Sequence, residues 1–297
     1  MSGLTGLPFW KMHGLGNDFV VLDGRPAAQA AVRALRDDEA RAISDRRTGV
    51  GCDQLIVIEP AKSPKAAAFM RIRNADGGEV EACGNAARCV ANLLMRERGV
   101  DALTIETVVG LLETKALPDG RVAVDMGPAR DGWAEIPVAR SADTLRLPVS
   151  DGPLVEPVGV NVGNPHAVFF VPDAEAIDLA TLGPRLERHP FFPQRTNVEA
   201  VSVLDPGGTG RRARLRMRVW ERGVGITRAC GTGACAAAVA ASRRGLTGRA
   251  VDVVLDGGTL SIDWLPNGHV LMAGPTALAF VGQLDTLAAA APAAAAA

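Results

Sequence analysis

The sequence predicts an α+β fold of two pseudo-symmetric domains from an internal duplication, each an antiparallel or mixed β-sheet wrapped around one buried central helix. Three observations lead there. First, the chain overlies itself at an offset of about 147 residues. RIRNADGGEVEACG (71–84) falls on RVWERGVGITRACG (218–231), so Cys83 meets Cys230, and Gly16-Asn17 meets Gly163-Asn164. One residue further, LPDG (117–120) falls on LPNG (265–268). Second, each Cys-Gly pair opens a run of small residues. One runs over 83–98 and stops at Gly99, the other over 230–244 and stops at Gly245. Basic residues in the last turn and a glycine after it end helices. The stretches 86–95 and 234–241 carry one charge between them, Arg88, and a helix apolar nearly all round is a buried one. Third, Asp119-Gly120 and Asn267-Gly268 are strong hairpin signals. The chain has 297 residues, enough for two cores. The expected domains are 1–128 and 129–274, with 275–287 returning to the first and 288–297 a low-complexity tail.

Composition sets the class. Hydrophobic residues make up 47% and charged residues 22%, as in ordinary globular proteins. A formal net charge of -1 gives no reason to expect nucleic acid or an anionic membrane as partner. Arg211, Arg212, Arg214, Arg216 and Arg218 form a basic run, but they alternate partly with Leu215, Met217 and Val219 and have no interleaved aromatics. That pattern suits one solvated face of a strand better than a nucleic-acid stripe. No apolar run reaches the length of a membrane span, and the first residues lack the basic start and apolar core of a signal peptide. A cytoplasmic protein is expected, with its five cysteines reduced.

The paired cysteines carry the chemistry. Domains related by duplication usually pack about a pseudo-twofold axis, so equivalent residues face each other across the interface. Cys83 and Cys230 each sit at a helix N-terminus, where the dipole and the first backbone N–H groups favour a thiolate and draw the thiol toward neutrality. Inverting a stereocentre by proton transfer needs one base and one acid on opposite faces of one carbon, both with pKa values near the working pH. Backbone N–H groups at Gly84-Asn85 and Gly231-Thr232 suit a substrate carboxylate. Cys89 and Cys235 fall inside the apolar helices and read as structural, as does Cys52. No cysteine pair has zinc-ligand spacing, so no metal is expected. There is no P-loop, no H-E-x-x-H and no G-x-G-x-x-G, and only four lysines, none in a Schiff-base setting, so no cofactor is expected. A non-catalytic redox thiol switch stays open beside the acid–base reading.

At these residues the chain resembles the diaminopimelate epimerase family. The resemblance rests on KMHGLGNDFVVLD (11–23), RRTGVGCDQL (46–55), RNADGGEVEACGNAARC (73–89), VNVGNPHAVFF (160–170), RTNVEAV (195–201) and WERGVGITRACGTGAC (220–235), spread over nearly the whole chain. The paired Cys-Gly motifs alone mark only the wider superfamily, which includes proline and hydroxyproline racemases. Asn-Pro-His and Glu-Arg-Gly narrow it. The resemblance implies an active site in the interdomain cleft, no cofactor, a homodimer, and interconversion of LL- and meso-diaminopimelate for lysine and peptidoglycan synthesis. It implies Cys83 and Cys230 as the acid/base thiols. Asn17, Gln54, Asn74, Asn164, Asn197, Glu221 and Arg222 become substrate contacts, Gly84, Asn85, Gly231 and Thr232 backbone donors, and His166 and Glu221 tuners of the thiols. The chemistry agrees: the substrate's distal ammonium and carboxylate want an anion and a cation, which adjacent Glu221 and Arg222 supply. Three positions depart from the family pattern: Ile226 stands where a glutamate is usual, Ala86 where a glycine is, and Phe280 where a tyrosine touches the dimer partner.

Overall fold

The structure, a computed structural model, describes residues 4–80 and 83–285. These residues divide into two compact units. One takes in residues 4–122 and 276–285, the other Ala123–Pro275. The alanine-rich stretch from Ala288 lies outside the described residues.

In the first unit, strands β1 (Pro8–Gly14) and β2 (Asn17–Asp23) form a hairpin. Its two-residue turn, Leu15-Gly16, has φ of 58° and 82°, the double-positive geometry that matches strand twist. A leucine is strained there, and burial of its side chain offsets the strain. After the acidic-started helix α1 (Asp37–Ser44), β3 (Gln54–Glu59) runs parallel to β2 and β4 (Ala68–Asn74) antiparallel to β3. The short β5 (Glu79–Val80) folds back on β4. Helix α2 (Gly84–Arg98) follows and ends at Gly99, φ 65°. Strand β6 (Ala102–Thr107) is parallel to β4, and β7 (Gly110–Ala116) antiparallel to β6. Phe19, Val20, Val21 and Leu22 are all fully buried, because a strand covered on both faces carries a continuous apolar run. Val20 and Leu22 join a core with Val32, Ile43, Leu55 and Val57.

The second unit opens with β8 (Val122–Pro128) and the two-residue strands β9 (Ser150–Asp151) and β10 (Leu154–Val155). Then it repeats the first. Strands β11 (Val158–Asn161) and β12 (Pro165–Phe170) are antiparallel. After α3 (Leu179–Glu187), β13 (Asn197–Asp205) runs parallel to β12, and β14 (Ala213–Glu221) antiparallel to β13. The short β15 (Gly225–Ile226) folds back on β14. Helix α4 (Gly231–Arg243) follows; β16 (Ala250–Leu255) is parallel to β14, and β17 (Gly258–Trp264) antiparallel to β16. Strand β18 (His269–Gly274) closes a hairpin over Asn267-Gly268. The pairings alternate in the same sense as in the first unit, which makes the α+β duplication visible strand by strand. Helix α4 is built from residues small enough to lie close to a sheet: Ala234 through Ala241 are buried without exception.

Strand β8 lies at the junction of the two units. It hydrogen-bonds to β18 and, Val122 aside, falls in the second unit. The last strand, β19 (Ala277–Gln283), pairs antiparallel with β1. Phe280 on β19 is half exposed, its ring edge-on to Phe9 at 6.0 Å. The arginine run differs from expectation. Leu215, Met217 and Val219 face the core as the alternation requires, but Arg216 and Arg218 are largely covered. Arg216 pairs with Glu175 and Asp256, and Arg218 donates to the carbonyls of Ala174 and Ile177. The face is satisfied internally, which removes it further from a nucleic-acid surface.

Candidate active site

Cys83 and Cys230 hold the same local post. Each is the N-cap residue of its helix in extended conformation, with φ −148° and −116°. The Cys83 sulfur accepts the Ala86 N–H at 3.5 Å, and the Cys230 sulfur accepts the Gly233 N–H at 3.3 Å. A sulfur thus takes the place of the usual capping oxygen. Gly84-Asn85 and Gly231-Thr232 form the start of the first turn, whose N–H groups have no intrahelical acceptor and point where an anion would sit.

Around Cys83 the first unit gathers amides. The Cys83 thiol faces Asn17 Oδ1 at 3.7 Å, and Asn85 Nδ2 donates to the same oxygen at 3.2 Å. Asn85 Oδ1 in turn accepts from the fully buried Arg88 at 2.8 Å. Asn17 leaves the strained Leu15-Gly16 turn, and its Nδ2 donates to Asp53 at 3.0 Å. Behind it, Asp18 takes hydrogen bonds from Lys11 and Arg46. Burial alone would raise Asp18, but those two cations hold its carboxyl at about 2. Gln54 begins β3 and Asn74 ends β4; they are register partners, and Gln54 Nε2 donates to Asn74 Oδ1 at 3.1 Å. Asn17, Gln54 and Asn74 therefore stand at the same end of three adjacent strands.

Around Cys230 the second unit gathers charge. Thr232 Oγ1 is 3.5 Å from the sulfur. Glu221, the last residue of β14, accepts from Thr227. Asn197 Oδ1 accepts the Arg222 backbone N–H at 2.8 Å, and Asn197 Nδ2 donates to the Pro165 carbonyl at 2.9 Å. Asn197 thereby ties the Asn-Pro-His turn to the Glu-Arg-Gly turn. As on the first unit, a non-glycine residue with positive φ precedes the asparagine by two positions: Arg195, φ 60°. Such strain is tolerated where the surroundings over-determine it. Glu187 fixes the Glu-Arg-Gly turn from below, accepting from Trp220 Nε1 at 2.8 Å and Gly223 N–H at 3.1 Å. The Arg222 side chain reaches out to the Gln194 carbonyl, and Ile226 is half exposed on β15.

His166 lies fully buried, with Nδ1 2.6 Å from Glu199 Oε1 and Nε2 2.8 Å from Asn164 Oδ1. Glu199 is also fully buried. The motifs contain Glu199, yet its place was not legible, because alternation on β13 shows only an inward position and not which helix it meets. Glu187, among Arg185, Arg188 and His189, gives no such signal along the chain, whereas Arg88 stands out as the single charge in its apolar run.

The expected fall of the thiol toward neutrality fails at Cys230. Burial first, then the carboxylates of Glu221 and Glu199, push this thiol well above its ordinary range, against the bonds from Thr232 and Gly233. Magnitudes explain the outcome. A helix terminus is worth roughly 1 kcal/mol, while taking a charge out of water costs several. Burial also raises Cys52, and Cys89 to about 12. Cys52, Cys89 and Cys235 are core residues, and all five cysteines are present as thiols. Among the described residues no cluster of three His, Cys, Asp or Glu side chains suits a metal ion, and no helix is long and apolar enough to cross a membrane.

Comparison with known proteins agrees. The sequence model of the diaminopimelate epimerase family matches residues 9–131 and 158–279. The diaminopimelate epimerase of Rhodospirillum centenum is 58% identical over 281 residues, covering 93% of this chain and 92% of the relative. That of Rhizorhabdus wittichii is 54% identical over 277 residues, covering 93% and 95%. Among solved structures, a hydroxyproline epimerase from Agrobacterium vitis superposes with a TM-score of 0.62 at 16% identity, covering 96% of this chain and 95% of the other. At that identity the likeness shows the shared fold alone.

Proposed function

The chain belongs to the diaminopimelate epimerase family, and from that premise we propose that Cys83 and Cys230 are its two proton-transfer groups, acting on opposite faces of one α-carbon. The enzyme is an isomerase that interconverts LL- and meso-2,6-diaminopimelate, a reaction of lysine and peptidoglycan precursor synthesis. The observation that carries the two-thiol reading is the repeated cap: in each unit a cysteine sulfur sits on a helix N-terminus and accepts the N–H three residues on.

The steps follow from these groups. The first-turn N–H groups bind the α-carboxylate and stabilise charge that spreads into it as the α-proton leaves. One thiolate takes that proton, forming S–H as the C–H bond breaks. The opposite thiol gives its proton to the other face of the carbanion. The pair ends with its protonation exchanged, and the reverse reaction restores it. Each sulfur is the base in one direction of the reaction and the acid in the other. Asn17, Gln54, Asn74, Asn164 and Asn197 hold the zwitterionic substrate through amides that both donate and accept. Glu221 and Arg222 take the distal ammonium and carboxylate. His166 and Glu221 tune the thiols. No cofactor takes part.

Reduced thiols suit a cytoplasmic setting. Leu278, Phe280 and Val281 leave an apolar stripe on β19 half exposed, which supports a homodimer. The deciding experiment incubates reduced protein with LL-diaminopimelate in deuterated water without added cofactor. Deuterium at the α-position together with meso product supports the reading. Meso product that retains the original α-proton in full would overturn proton exchange through the thiols.

A further inference from the structure

A glutamate inside a core strand needs a reason. Glu199 stands on β13 between Val198 and Ala200, fully buried. One oxygen, Oε1, is 2.6 Å from His166 Nδ1; the other, Oε2, has no hydrogen-bond partner. A buried carboxyl half unsatisfied costs stability, so the fold alone does not account for it.

The surroundings give the reason. His166 has an acceptor oxygen against each ring nitrogen: Glu199 Oε1 at Nδ1 and Asn164 Oδ1 at Nε2, 2.8 Å away. Since the Asn164 oxygen only accepts, Nε2 carries a proton. A second proton is shared between Nδ1 and the glutamate, as imidazolium facing carboxylate or imidazole facing carboxylic acid. In either form the ring is locked at both ends. The Asn164 amide is locked in turn, with its oxygen spent on His166 and its N–H2 turned away from the ring. The row does not stop at Glu199. A Cβ placed on Gly233 would stand 3.0 Å from Glu199 Oε1 and 3.3 Å from Cys230 Sγ, so the carboxyl reaches the first turn of α4. The titratable groups around Glu199 are His166 on β12, Glu221 on β14 and Cys230 at the start of α4.

We propose that Glu199 is a positioning residue for the epimerisation. Through His166 it fixes Asn164 with its amide N–H2 presented to the substrate, beside the helix that carries Cys230. This rests on the reading of Asn164 as a substrate contact.

Two measurements test it. In the unsubstituted enzyme, ¹⁵N-histidine NMR, with His166 assigned by its loss in His166→Asn, should show Nε2 protonated across the working pH range. A neutral ring protonated only at Nδ1 would reverse Asn164 and overturn the proposal, with no variant of Glu199 required to fold. In steady-state kinetics, Glu199→Gln should raise KM for diaminopimelate about tenfold, the loss expected when one well-placed hydrogen bond is no longer held, with a smaller change in kcat. The double variant with His166→Asn should be no worse than His166→Asn alone, because Glu199 acts through the ring. Additive losses, or an unchanged KM in folded Glu199→Gln, overturn it. Asn164→Ala separates the two readings. If it leaves KM unchanged, Asn164 is no substrate contact and both fall; if it raises KM while Glu199→Gln does not, only the role of Glu199 falls.

Discussion

Cys83 and Cys230 cap their helices alike, each sulfur taking the N–H three residues on. Cys83 faces the carbonyl oxygen of Asn17, and Cys230 lies in the field of two carboxylates. A two-base reaction needs one proton present and one absent at the start of each turnover.

Removing either thiol should therefore stop turnover. Cys83→Ala and Cys230→Ala should each lose roughly 10³-fold or more in kcat, the scale of an acid–base group, while circular dichroism shows an intact fold. Normal turnover in either variant would sink the mechanism.

The raised pKa of Cys230 should appear in thiol labelling. A thiolate forms only above the pKa, so alkylation of Cys230 by iodoacetamide, followed by mass spectrometry, should keep rising with pH beyond the range of an ordinary thiol. Cys89, pushed to about 12 by burial, should stay unlabelled. Glu221→Gln removes a neighbouring negative charge and should move the Cys230 curve to lower pH. Neutral-pH labelling of Cys230 at the rate of a free thiol would contradict the arrangement.

Gly233 should tolerate no side chain. A Cβ there would press on Glu199 Oε1 at 3.0 Å and on both Cys230 Sγ and Met217 Cε at 3.3 Å. Gly233→Ala should cost about 1–3 kcal/mol by overpacking and lower kcat more than it changes KM. A variant of native stability and activity would show that the helix start has more room than the structure gives it.

Asp18 should make stability depend on acid. Its carboxyl is held at about 2, below the ~3.9 of an unfolded chain. Its contribution is thus present above about pH 4 and fades as pH falls toward 2. Being partly solvated, it is worth about 1–2 kcal/mol. Urea melts of Asp18→Asn should show that loss at pH 7 and a shrinking difference from the unsubstituted protein toward pH 3. A pH-independent difference would mean that packing, and not charge, is responsible.

The fold was legible where local chemistry decides it. The two Cys-Gly starts and the glycines Gly99 and Gly245 bracket α2 and α4 to within a residue, because caps and left-handed stops are written in a few neighbouring positions. Asn267-Gly268 marked its hairpin for the same reason. The acidity of Cys230 was not legible. A helix N-terminus can be read along the chain, but Glu199 reaches the sulfur from β13, a strand that the whole of β14 separates from α4 in sequence. The arginine run misled for a related reason: alternation shows which side faces out, not that Glu175 and Asp256 will cover it.

The pairing of β1 with β19 has a consequence for synthesis on the ribosome. The second unit is one continuous stretch, complete once Pro275 has emerged. The first unit lacks the second neighbour of its opening strand until Gln283 is out. The half translated first is thus finished last, and for most of synthesis β1 offers a bare hydrogen-bonding edge to any passing strand.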